Sequence, residues 1–136
     1  MQMYEFVGHV QHGARLPTMN QALNATRATL ETLAERLGAE DSRQLAAQLP
    51  VGIGQYLDVR AAVGENFSSD EFLKRICARE GVDPPDSVCH TRAVLDTLQQ
   101  AVSTGENRDL LRRLPSDYAR LFTDTTGRPR RYGAGF

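Results

Sequence analysis

The sequence predicts an all-α fold: a pseudo-twofold helical bundle of two tandem four-helix units, about eight helices in all. Three observations predict it. The octet Thr26-Arg27-Ala28-Thr29-Leu30-Glu31-Thr32-Leu33 returns as Thr91-Arg92-Ala93-Val94-Leu95-Asp96-Thr97-Leu98, sixty-five positions later. At the same offset Leu37 falls on Val102, Arg43 on Arg108, Leu45 on Leu110, and Leu49-Pro50 on Leu114-Pro115, so one unit occurs twice. Apolar residues recur at three- and four-residue spacing, and no β-branched alternation long enough for a strand interrupts them.

Met3, Phe6, Val7 and Val10 place a short amphipathic helix that stops near Gly13. Phe72, Leu73 and Ile76 repeat it at an offset of sixty-six, so the first copy has a connection one residue longer between Val10 and Thr18. Thr18 with Gln21 caps the second helix, and Asp83 before Pro84 caps its counterpart. Leu23, Thr26, Leu30, Leu33 and Leu37, and then Val88, Thr91, Leu95, Leu98 and Val102, predict one narrow apolar seam on each of these two helices. The hydroxyls of Thr26 and Thr91 are expected to bond back to helix carbonyls.

Shorter helices are expected over Asp41 to Gln48 and Val51 to about Ala62, then over Glu106 to Arg113 and Ser116 to Phe122. Pro50 and Pro115 divide them, because a proline in a first helical turn removes no hydrogen bond. Ser68 with Glu71 and Ser103 with Glu106 read as capping boxes. Gly64 to Ser69 marks the boundary between halves. The expected organisation is one helical domain over 1–122, built from repeats at about 3–62 and 68–122, followed by an Arg/Gly-rich tail over 123–136.

A chain of 136 residues fits one compact domain, which buries roughly 70% of its unfolded surface. Hydrophobic residues make up 40% and charged residues 24%, as in ordinary globular proteins. Sixteen Lys and Arg face seventeen Asp and Glu, so no basic surplus favours nucleic acid, whose binding draws on phosphate neutralisation. The start Met1-Gln2-Met3-Tyr4-Glu5 lacks the basic and apolar stretches of a secretory signal, and no segment approaches eighteen apolar residues. A cytoplasmic location is expected, with no membrane association and with Cys77 and Cys89 as reduced thiols.

The marks Glu5-Phe6-Val7, Ala25-Thr26-Arg27-Ala28 and Ala46-Ala47-Gln48-Leu49-Pro50 have second-copy partners in Glu71-Phe72-Leu73, His90-Thr91-Arg92-Ala93-Val94-Leu95 and Arg113-Leu114-Pro115. This arrangement resembles the bacterial domain-of-unknown-function family numbered 2267 over about residues 1–122. The resemblance implies an all-helical duplicated fold and carries no catalytic residues. The tail lies outside the family's pattern.

Four groups of residues carry candidate chemistry. Glu5, His9 and His12 share the outer face of the first helix and offer carboxylate and imidazole ligands, but three ligands on one exposed helix lack supporting partners, so a polar face is expected instead of a metal site. Cys77, Cys89 and His90 match no zinc spacing. Cys89 takes the seam position of Leu23 and is expected to be a buried structural thiol. Arg27 and Arg92 occupy equivalent places and form a candidate anion site, against the plainer reading in which each pairs with Glu31 or Asp96 one turn on. The tail, with Arg128, Arg130, Arg131, Tyr132 and Phe136, is a candidate partner-binding peptide.

No P-loop, dinucleotide fingerprint, metalloprotease pair or nucleophile elbow is present in the sequence. The sequence therefore reads as a non-enzymatic interaction or adaptor module without cofactor or metal. A small-anion-binding protein and a weak nucleic-acid binder, using Arg112, Arg113 and the tail, are the alternatives.

Overall fold

A computed structural model describes residues 1–58 and 63–122, and these form helices and no strands. In order they are α1 Met3–Ala14, α2 Met19–Leu37, α3 Ala39–Ala46, a first 3-10 turn Gly54–Leu57, α4 Ser69–Glu80, α5 Pro84–Ala101, α6 Thr104–Arg113 and a second 3-10 turn Ser116–Leu121. Helix starts follow the sequence signals. Thr18 Oγ1 accepts from Gln21 N at 3.1 Å, Ser68 Oγ from Glu71 N at 3.2 Å and Ser103 Oγ from Glu106 N at 3.1 Å. Each bond satisfies an N–H that has no partner inside its helix.

The boxes at Ser68 and Ser103 close on one side only. Glu71 Oε2 is drawn away to Arg75 Nε at 2.8 Å, and Ser103 N donates to Gln48 Oε1 at 2.7 Å. Asp83 stands at the N-cap of α5 with proline following, without a side-chain cap bond. α1 ends where Arg15 turns left-handed at φ 55°, with Leu16 N donating to Gln11 O at 2.9 Å.

α2 and α5 form the centre. α2 packs against α1, α3, α4, α5 and the first 3-10 turn, while α5 packs against α1, α2, α4 and the second 3-10 turn. α1 crosses to α5 and α4 crosses to α2, so the two hairpins interlock over one core cluster running from Phe6 to Phe122. The narrow seam expected on α2 is not what forms. Ala22, Ala25, Thr26, Ala28, Thr29, Leu30, Thr32, Leu33, Ala34 and Arg36 are all buried, while Leu23 and Leu37 are only partly so. Small alanine and threonine side chains let neighbours close in from several sides, so most of the helix circumference is buried. Its solvent side narrows to a half-buried stripe of Arg27, Glu31 and Glu35, four residues apart.

The same geometry corrects Cys89, which is exposed and not a buried seam thiol; Leu23, its counterpart, also sits at a helix edge and not in the centre. Thr26 Oγ1 donates to Ala22 O at 2.8 Å as expected, but Thr91 Oγ1 is buried without a partner. Thr32 and Thr97 make the back-bonds instead, to Ala28 O and Ala93 O, each at 2.8 Å.

The helix expected from Val51 is reduced to the 3-10 turn Gly54–Leu57, and residues 59–62 lie outside the described residues. Glycine accounts for this. Gly52 has φ 95°, which breaks a right-handed helix, and a Cβ added at Gly54 would lie 2.8 Å from Ala46 O, a close approach that ties the turn to α3. Ser116–Leu121 likewise forms a 3-10 turn and not an α-helix.

Candidate functional site

The two peripheral hairpin helices begin in different surroundings. At the start of α4, the second 3-10 turn clamps the backbone. Asp117 Oδ2 accepts from Ser69 N at 2.7 Å, and Arg120 Nη2 donates to Ser69 Oγ at 3.0 Å and Asp70 Oδ1 at 2.5 Å. Tyr118 OH donates to Phe67 O at 2.7 Å, its ring lies 5.3 Å from that of Phe72, and the Arg36 guanidinium stands 5.8 Å from its centroid. The Ser69 N–H holds the Asp117 carboxyl below its usual range against the opposing effect of burial. Burial pushes the Tyr118 hydroxyl up to about 12.

At the start of α1 the corresponding ground is open and apolar. Met3 packs on the first 3-10 region so closely that a Cβ on Gly52 would lie 2.5 Å from its Sδ. This contact brings the first turn of α1 beside Pro50–Gly52, where Val51 is 96% exposed and Tyr4 67%. A groove of about 550 Å³ runs alongside, lined by Arg43, Ala46, Leu49, Pro50, Val51 and Asp58 among others. The backbone there is satisfied locally: Gln2 N donates to Glu5 Oε1 at 3.1 Å, and Ile53 N and Gly54 N donate to Pro50 O at 3.0 and 3.2 Å. What the surface presents to solvent is therefore side chains and not these backbone groups.

The residues singled out in the sequence do not converge on this place. Arg27 Nη2 donates to Asn24 Oδ1 at 2.8 Å and Nη1 lies 3.5 Å from Glu31, so its guanidinium is engaged along its own helix. Arg92 is half-buried, and neither arginine lines the groove. His9 and His12 are exposed; His12 borders a second open depression of about 610 Å³ with Arg15 and Leu16. Cys77 Sγ donates to Val82 O at 3.0 Å, and His90 Nδ1 meets the buried Glu80 Oε2. Among the described residues no three His, Cys, Asp or Glu side chains are placed to hold a metal. Arg128, Arg130, Arg131, Tyr132 and Phe136 lie outside the described residues.

Sequence reasoning missed the clamp, although a signal for it was present. At the repeat offsets, Met3 and Tyr4 fall on Ser69 and Asp70, and Gly52, Ile53 and Gln55 fall on Asp117, Tyr118 and Arg120. Between these matched positions the residues change from apolar or neutral to polar where the clamp forms. A further polar group sits between α2 and α4. Arg79 donates to Glu35 Oε2 and Thr32 Oγ1, both at 2.6 Å, and Arg75 lies 3.1 Å from Glu65 with its guanidinium 4.0 Å from the Phe67 centroid. The Arg79 hydrogen bond holds the Glu35 carboxyl below its ordinary value, against burial.

These features define an all-helical bundle with one polar, closed end and one apolar, open end. The chain belongs to the family described as an uncharacterized conserved protein, DUF2267, whose model matches residues 3–121. No protein of curated function matches it. Among the described residues no helix is long and apolar enough to cross a membrane.

Proposed function

We propose that this protein is a non-enzymatic protein-interaction module of the cytoplasm, acting as an adaptor, with the open α1 end as its docking surface. The observation that carries the reading is a 96% exposed Val51 on a groove with an apolar floor, which the Met3–Gly52 contact sets next to the start of α1. Apolar groups that reach the surface along one groove, here Ala47, Pro50 and Val51, mark contact sites more often than singly scattered ones. Aromatic and methionine side chains are also enriched where proteins meet.

The bundle is, in this reading, a pseudo-twofold duplication that forms a single domain. Its support is the matched lengths of α1 and α4, each 12 residues, and of α2 and α5, 19 and 18 residues, together with the reciprocal packing of α1 on α5 and α4 on α2. Duplication leaves two comparable ends, of which one is filled by its own chain and the other is free to receive a partner.

Cross-linking mass spectrometry on the full chain in its host tests the reading, with wild type compared against Val51→Asp combined with Tyr4→Ser. Adducts that map to α1 and residues 49–55 and disappear in the variant are the expected result. Adducts that persist unchanged in the variant would contradict it.

A further inference from the structure

We propose that the occupant of the open end is a second copy of this chain, docked as a twofold dimer; the proposal rests on the reading of that end as a docking surface. A twofold interface uses one patch on both copies, so each charge in the patch needs its opposite in the same patch. The α1 end has that composition. Its centre is apolar at Pro50 and Val51, while Arg43 and Asp58 are exposed along the same groove. Neither forms an ion pair with the other or with another described residue.

A twofold axis near Val51 carries Arg43 of each copy toward Asp58 of the other, so two complementary contacts flank one apolar centre. A partner of different sequence would require no balance of charge within the patch. The α4 end shows the contrast: there Arg120 and Asp70 already pair within one chain. The groove's ten lining residues are fewer than the roughly 20–30 a side of a standard stable complex, so the dimer is weak and concentration-dependent.

Sedimentation equilibrium of the full chain from ~10 μM to ~1 mM reads the self-association directly, the range suited to a weak interface. The expected result is a monomer–dimer equilibrium that Val51→Asp abolishes. Arg43→Glu and Asp58→Arg should each raise the dissociation constant about tenfold or more, by placing like charges opposite one another. The double variant R43E/D58R restores the opposite pairing and should return to within about threefold of wild type. Circular dichroism of each variant separates loss of association from loss of fold.

Wild type that stays monomeric throughout, or a double variant no better than the singles, overturns the proposal. The two readings fail separately. A monomeric wild type in which a photoreactive residue at position 51 captures a different protein removes the dimer and keeps the docking surface, whereas a monomer that yields no adduct removes both.

Discussion

The start of α4 and the start of α1 are built from helices of equal length, each followed across the bundle by a proline and a 3-10 turn, yet they meet solvent in opposite ways. At α4 the turn reaches back with Asp117, Tyr118 and Arg120 and uses up the local donors and acceptors. At α1 the turn offers Gly52, Ile53 and Gln55, the helix caps itself through Glu5, and Val51 and Tyr4 are left in water. A handful of residue differences at matched positions thus separates a helix start clamped by side chains from one whose neighbours are left in solvent.

Removing the clamp's central ring should produce the largest effect. Tyr118→Ala deletes a 1% exposed ring packed on Phe72 and is expected to cost about 3–5 kcal/mol in urea unfolding, as for other buried aromatics. Gly54→Ala should cost about 1–3 kcal/mol, because its Cβ meets a backbone oxygen that cannot swing away. Asp117→Ala removes the acceptor of Ser69 N and should cost about 1 kcal/mol, the usual worth of a helix cap. Val51→Asp should change stability by no more than about 0.5 kcal/mol, since the side chain has almost no contacts to lose. Equal losses for Tyr118→Ala and Val51→Asp would erase the distinction between the ends.

Acid titration sharpens the same contrast. Asp117 and Glu35 both have carboxyls held below their ordinary values of 3.8 and 4.5, so the unfolded chain takes up protons first as pH falls. Their stabilisation is fully present above those ordinary values and is lost as pH drops through the lowered folded ones. Urea midpoints measured from pH 6 downward should therefore be level and then fall, and Asp117→Asn should reduce the fall. Tyr118 works in the other direction: its stabilisation is present below an ordinary value of 10.0 and is lost as pH rises toward about 12.

Much of the frame is legible in the sequence because it rests on local chemistry. Thr18, Ser68 and Ser103 each cap the helix they precede, and Gln21, Glu71 and Glu106 supply the N–H groups they bond. The width of the buried face on α2 is less legible, since Ala and Thr weigh little in an apolar pattern yet allow the closest approach of neighbours. The shortened helix after Pro50 is legible in Gly52 and Gly54, against the reading of Pro50 as the first turn of a longer helix.

The candidate site is harder still to read, because exposure is decided by packing between distant elements. Leu49 and Val51 are both apolar and two residues apart, yet one is 9% exposed and the other 96%. Asp117 and Ser69 are forty-eight positions apart, and nothing local to either predicts their bond. The change from Gly52 to Asp117 at an offset of sixty-five was the available clue.

The most direct test places a photoreactive residue at position 51 in one full-length variant and at position 70 in another. Val51 is 96% exposed and the Asp70 side chain 88%, so accessibility is closely matched and a difference in yield reports contact. Adducts from position 51 with few or none from position 70 are the predicted result. Equal yields from both positions, or adducts from position 70 alone, would contradict the assignment of the open α1 end as the surface through which this protein acts.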